Sequence, residues 1–208
     1  MKINYSRFTA AMVAGLLLAA APVWAKPLHF KVNGGGADKV TFTSDAPVEV
    51  IHGMTNQVNG SITFDDSFKF DAKHPFSINF VVDLNSIDTG IDLRNEHMRD
   101  NFLETGKYPK AVYKATGIRL ARQVDLSKPQ TVTLVSTGDF TVHGVTEKKT
   151  IPLTVDYKPA HGKLPAKIRV RGKFPVPLAQ YQIKRPEAVF VKLAETVFVD
   201  VDMVGTAQ

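Results

Sequence analysis

The chain has 208 residues, a formal charge of +6 and no cysteine. This length allows a single domain to build its own core, and the lack of cysteine excludes disulfides, thiol chemistry and thiolate metal sites. The excess of positive charge is too small to indicate nucleic-acid binding by itself.

The first residues have the three-part layout of a secretory signal peptide. A basic start carries Lys2 and Arg7, residues 8–21 are uncharged and apolar, and a small-residue cleavage motif ends at Ala25. The apolar run is shorter than the roughly 20 residues that a membrane-spanning helix needs. We therefore expect cleavage after Ala25, a periplasmic location and one mature domain over residues 26–208. An uncleaved anchor is the alternative.

Most of the mature chain alternates between apolar and polar residues with a period of two, which is typical of half-buried strands. Residues 167–174, for example, place Ile168, Val170 and Phe174 opposite four cations. The predicted strands are 27–32, 38–44, 47–52, 58–64, 77–84, 110–119, 130–142, 150–157, 167–174 and 196–203. With no βαβ alternation, this pattern predicts an antiparallel barrel or sandwich. A barrel of about eight strands is either filled by side chains or holds one ligand.

One stretch breaks the strand pattern. Residues 88–104 space Ile91, Met98 and Phe102 at helical intervals, which predicts one amphipathic helix near 91–103 with Asp88, Thr89 or Asp92 as its cap. A weaker helical turn is predicted near 178–181.

Several segments resemble the YceI-like family. They are residues 60–65 (GSITFD), 82–90 (VDLNSIDTG), 94–103 (RNEHMRDNFL), 107–111 (KYPKA) and 138–149 (GDFTVHGVTEKK). The similarity runs in order through most of the mature chain. Where many members carry paired aromatics and an acid, this sequence has Phe102, Leu103 and Glu104, and the stretch from Pro177 to Phe190 resembles the family less.

The resemblance implies a lipocalin-like antiparallel barrel with a helix after the strand that carries Val82. It also implies a long apolar tunnel that holds a polyisoprenoid chain, either a quinone or an isoprenoid phosphate, and a carrier or storage role that is stress-related. The lipid would be the ligand, and we expect no other cofactor.

Apolar residues on the inward faces of the strands and the helix are the candidates for the tunnel lining. They are Phe64, Ile78, Phe80, Val82, Met98, Phe102, Phe140, Leu153, Val170 and Phe174. Ordinary core packing would use the same residues. Only the resemblance favours a tunnel over a filled core.

Four polar residues are candidates for binding the head group: Arg94, His97, Arg99 and Tyr108. Arg and His suit phosphate or quinone oxygens. The alternative is that the helix charges pair with one another. His97 and Asp100 could share a helix face, but a metal site needs about three or four protein ligands, so we expect none.

Two other functions stay open. A packed barrel could bind a partner or a membrane surface through its loops or the basic strand 167–173, although a solvated outer wall explains those cations equally well. A lipid-modifying enzyme is less supported, because no nucleophile motif is present. We expect no nucleic-acid partner, and the sequence leaves open a homodimer and a transient membrane contact.

Overall fold

The computed structural model describes residues 27–65, 76–122, 124–185 and 192–208. The signal peptide and the cleavage after Ala25 lie outside these residues. The strands within them are β1 Pro27–Val32, β2 Lys39–Asp45, β3 Val50–Thr55, β4 Val58–Asp65, β5 Ser77–Asp83, β6 Lys110–Leu120, β7 Gln130–Val142, β8 Val145–Lys158, β9 Lys167–Pro177 and β10 Thr196–Ala207. The helix α1 spans Asp92–His97. Among the described residues, no helix is long and apolar enough to span a bilayer.

Eight strands close into an antiparallel barrel in the order β1-β4-β5-β6-β7-β8-β9-β10, and β10 returns to β1. The closing contact pairs Phe30 with Ala207 and Lys31 with Thr206. Beyond that contact, the β2–β3 hairpin takes over the free edge of β10. The predicted eight-stranded barrel is therefore confirmed, and the two-layer sandwich is excluded.

The third strand begins later than the sequence predicts. Residues 47–49 were expected in a strand, but the Ala46 N–H donates to the Glu49 carbonyl at 3.1 Å, which makes this segment the turn between β2 and β3. Strand β3 then starts at Val50. Pro47 has no N–H and fits a turn better than a strand.

Three of the four cations on β9 are paired with aspartates on the neighbouring strands. Arg169 forms two 2.6 Å bonds with Asp202 on the neighbouring strand β10. Arg171 pairs with Asp156 at 2.6 Å and Lys173 with Asp200 at 3.5 Å. Exposed pairs of this kind add little stability each. They make the basic strand a solvated wall rather than a free positive surface.

The predicted helix is present, but its winding changes along its length. After α1 the chain continues as a π-turn over Met98–Phe102, closed by the Leu103 N–H to the Met98 carbonyl at 2.8 Å. The predicted caps are wrong, because the N-cap is Ile91 and has no side-chain hydrogen bond. The weaker turn is confirmed as a 3₁₀ turn over Leu178–Tyr181.

Candidate functional site

The barrel encloses a cavity of about 500 Å³. Side chains from β2 to β10 and from the helical segment line it. This volume lies in the range of small-molecule binding pockets. The lining on β7 extends from Val132 to Val142, roughly 30 Å along the strand at about 3.3 Å per residue, so the cavity is elongated.

Several inward side chains keep accessible surface although they face the barrel interior. Ile78, Val82, Leu153, Val199 and Val201 line the cavity and are only partly buried. In a solidly packed core, side chains at such positions would lose almost all contact with solvent. The interior is therefore hollow along these strands.

Two aromatic rings pack directly over glycines of the barrel wall. A Cβ atom at Gly60 would come within 2.1 Å of the Phe80 ring, and one at Gly53 would come equally close to the ring of Phe42. Both rings belong to residues on the neighbouring strand. Each ring covers the backbone instead of filling the lumen, so the glycines keep the cavity wide.

One polar contact lies deep in the barrel. The Tyr113 hydroxyl and Ser136 Oγ are 2.7 Å apart, and Ser136 has no exposed surface. Burial raises the pKa of the Tyr113 hydroxyl, so it stays protonated at neutral pH. The bond satisfies both buried hydroxyls within an otherwise apolar wall.

Charged residues of the lining gather at one end, which we call the mouth. The β2–β3 turn and the helical segment both lie there, and an ion pair between Arg94 and Glu49 joins them. Their side chains keep 27% and 34% of their surface. His97 and Lys192 also line the mouth, and neither has an ion-pair partner among the residues that the structure describes.

Asn95 holds the helical segment in place at the mouth. Its Oδ1 accepts from the Thr89 N–H at 2.8 Å and from the Thr89 hydroxyl at 2.7 Å, while its Nδ2 donates to Asp88 Oδ1 at 2.7 Å. The pKa of Asp88 is lowered, first by the Gly90 backbone N–H and then by the Asn95 amide. Asn95 is buried, whereas Asp88 is exposed, so the network connects a buried amide of the helical segment to a carboxylate that faces solvent.

The sequence matches the YceI-like domain family over residues 31–205. The chain belongs to the YceI-like family. It is 33% identical to a UPF0312 protein of Vibrio parahaemolyticus over 141 residues, which is 66% of this chain and 68% of that protein. It is 35% identical over 99 residues to the protein YceI of Escherichia coli O6:H1, covering 46% of this chain and 44% of that one.

Two solved structures share the fold of this family member. A polyisoprenoid-binding domain from Saccharophagus degradans, implicated in plant cell wall breakdown, has a TM-score of 0.67 at 22% identity, covering 87% of this chain and 99% of that one. BcnA of Burkholderia cenocepacia has a TM-score of 0.60 at 20% identity, covering 80% and 95%. At such identities the likeness concerns the fold alone.

All ten apolar candidates from the sequence line the cavity. That they contact a ligand stays a prediction. Of the four head-group candidates, Arg94 and His97 line the mouth, whereas Arg99 and Tyr108 are not part of the lining. Arg99 lies near enough to Asp88 for its charge to lower the pKa of that carboxyl. Tyr108 packs edge-on against His143 with ring centroids 4.8 Å apart and covers Gly144.

Sequence reasoning missed several lining residues. Alternation along 38–44 could have pointed to Phe42, and alternation along 110–119 to Tyr113. No sequence signal identifies Glu49 or Lys192, because each reaches the mouth through a turn or loop whose path depends on the whole barrel. Among the described residues, no group of three or more His, Asp or Glu side chains could hold a metal ion.

Proposed function

We propose that this protein is a periplasmic binding protein that holds a long-chain isoprenoid lipid, a quinone or an isoprenoid phosphate, in its barrel cavity. The observation that carries the proposal is the elongated, hollow apolar lumen with its charged groups confined to the mouth. The Saccharophagus degradans domain of the same fold, which binds a polyisoprenoid, supports this choice of ligand. The signal-peptide pattern that ends at Ala25 supports export.

Affinity in such a site would come mainly from burying the tail. Apolar surface contributes about 25 cal/mol per Å² on transfer out of water, so a tail of several isoprene units needs few polar contacts. Arg94, His97 and Lys192 line the mouth, where a phosphate or quinone oxygen would meet them. We infer that these residues select the head group more than they add affinity.

Binding without chemical conversion is the simpler use of this cavity. Its inner polar contact, between Tyr113 and Ser136, is internally satisfied and lies in an apolar wall. Tyr113 stays protonated and is already hydrogen-bonded, so it is poorly suited to act as a base.

Native mass spectrometry of the protein purified from its own periplasm tests the proposal, with organic extraction to identify any lipid. We expect one isoprenoid per chain and a mature protein that begins at Lys26. A ligand-free mass that added ubiquinone and isoprenoid phosphates both leave unchanged would rule lipid binding out.

A matched pair of variants shows whether the lumen is the site. Val199 faces the cavity and Val204 lies on the same strand outside the cavity lining. Val199→Phe fills part of the lumen, so we expect weaker lipid retention, while Val204→Phe retains lipid like the wild type. Thermal unfolding of both variants shows whether weaker retention comes from a smaller cavity or from a destabilised fold. Equal retention by the two folded variants would place the ligand elsewhere.

A further inference from the structure

Large apolar side chains that remain exposed are concentrated at the mouth. Seven are found among the described residues, and five of them belong to the β2–β3 hairpin or the start of the helical segment. We call these five the apolar rim: Val48, Val50, Met54, Ile91 and Leu93. Val48 and Leu93 keep 65% and 60% of their surface. The other two, Leu164 and Phe198, lie on a different loop and on β10.

Two direct contacts join the halves of the apolar rim. Met54 on β3 exchanges two backbone hydrogen bonds of 2.9 Å with Asp88, three residues before Ile91. Glu49, between Val48 and Val50, pairs with Arg94, next to Leu93. The hairpin and the helical segment therefore present their exposed apolar residues at one edge of the barrel.

The apolar rim continues into the cavity. Ile91 and Leu93 are exposed and also line the lumen, so apolar surface runs from outside to inside at this point. His97 and Lys192 stand at the same opening. Exposed aliphatic residues that border the opening of an apolar cavity suit the hydrophobic part of a bilayer interface. The same segment also carries the exposed acids Asp92 and Glu96, so apolar insertion rather than charge attraction carries the contact.

We propose that the apolar rim is a membrane-docking surface that sets the mouth against the lipid headgroups, so that an isoprenoid passes between bilayer and lumen without crossing water. This inference rests on the proposed lipid-binding function and names the partner of the same site. A water-filled gap would expose every methylene of the tail during transfer, and that cost grows with tail length. The basic strand β9 is a weaker candidate for membrane contact, because three of its cations are paired with aspartates.

The test compares the wild type with two double variants. Val48→Ser/Val50→Ser removes rim residues that do not line the cavity, and Leu164→Ser/Phe198→Ser removes exposed apolar side chains that are not part of the apolar rim. Flotation uses vesicles of phosphatidylcholine with a minor share of phosphatidylglycerol and no isoprenoid. A second measurement follows transfer of ubiquinone from such vesicles. A third measures binding of ubiquinone added from ethanol without vesicles.

We expect the rim variant to lose at least about tenfold in vesicle binding, because even partial insertion of two valine side chains contributes that much. Transfer from vesicles should slow by a similar factor, while binding from ethanol stays unchanged and the control variant behaves like the wild type. Equal flotation of the rim variant and the wild type would overturn the proposal. So would a rim variant that floats normally but no longer self-associates, because the rim would then bind a second copy.

The two hypotheses fail differently. If the wild type does not bind ubiquinone added from ethanol, the proposed function is wrong for this lipid, and flotation still reports on the rim. If it binds ubiquinone but never floats, lipid binding stands and membrane docking is wrong.

Discussion

The end of the barrel away from the mouth and the mouth itself are stabilised by different interactions. Away from the mouth, Phe30 stacks on Phe64 at 5.7 Å and meets Tyr157 edge-on at 6.5 Å, and all three are buried. The mouth end also has a buried aromatic cluster, in which Phe140 meets Phe174 and Tyr181 edge-on at 5.4 and 5.6 Å. The β2–β3 hairpin and the helical segment, however, are held there by the hydrogen bonds and charges of Asn95, Asp88, Arg94 and Glu49, and most of these residues keep contact with water.

This contrast has a physical consequence for opening. Separating packed apolar side chains costs free energy. The end of the barrel with Phe30, Phe64 and Tyr157, the aromatic end, should therefore unfold only together with the whole barrel. Hydrogen bonds near solvent can exchange with water at little net cost. The contact between the β2–β3 hairpin and the helical segment is therefore where local opening costs least, which suits the entry of a ligand.

The largest effect is expected at the aromatic end. Phe30 is 1% exposed, and Phe30→Ala should lower the free energy of unfolding by about 3–5 kcal/mol through lost burial and a cavity. Urea unfolding measures it, with Phe198→Ala as the exposed control at about 1 kcal/mol or less. If Phe30→Ala costs no more than the control, the aromatic cluster does not anchor this end.

An intermediate effect is expected at Asn95. Asn95→Ala should cost about 1–3 kcal/mol, because it leaves the Thr89 N–H and hydroxyl and the Asp88 carboxylate without this partner. Hydrogen exchange should accelerate at 88–97 and not along β7 and β8. Exchange that rises equally in both places would mean that Asn95 supports the whole fold.

The same variant has a pH signature. The folded-state pKa of Asp88 lies below the ordinary aspartate value of 3.8, so its contribution to stability is present above that value and is lost as pH falls through the folded pKa. Removing the Asn95 amide should raise the pKa of Asp88 toward 3.8, with the Gly90 N–H holding it partly down. Carboxyl chemical shifts followed by NMR measure this change. Asn95→Asp is the informative partner, since it keeps an acceptor for Thr89 but places a second carboxylate beside Asp88.

The sequence predicts the barrel wall well and the mouth poorly, for the same physical reason. Alternation along a strand decides locally which residues face inward, so Phe80, Val170 and Phe174 could be named from the sequence. The mouth depends on contacts between distant segments, such as Glu49 with Arg94, 45 residues apart. The predicted helix caps were wrong for the same reason. Asp88 and Thr89 hydrogen-bond to the side chain of Asn95 instead of capping the first turn of the helix.

Alternation also could not show whether the barrel interior is hollow or filled with side chains. An inward valine has the same sequence pattern in a filled barrel and in an empty one. In this barrel the rings of Phe42 and Phe80 pack over Gly53 and Gly60, which leaves space in the interior. In the sequence each glycine looks only like a weak point in a strand.

The smallest effect on stability, and the sharpest test of the contrast between the two ends, belongs to the Arg94–Glu49 pair. Both side chains are partly exposed, so Glu49→Gln should change the free energy of unfolding by less than about 1 kcal/mol. The pair nevertheless joins the two segments that border the mouth, and weakening it should let them separate more often. We expect lipid release to quicken by up to about fivefold, the equivalent of roughly 1 kcal/mol. Stopped-flow transfer of a fluorescent isoprenoid to acceptor vesicles measures this rate, and high salt should quicken release from the wild type more than from the variant. Unchanged release at both salt concentrations would mean that the ion pair is an ordinary surface contact and that the mouth opens elsewhere.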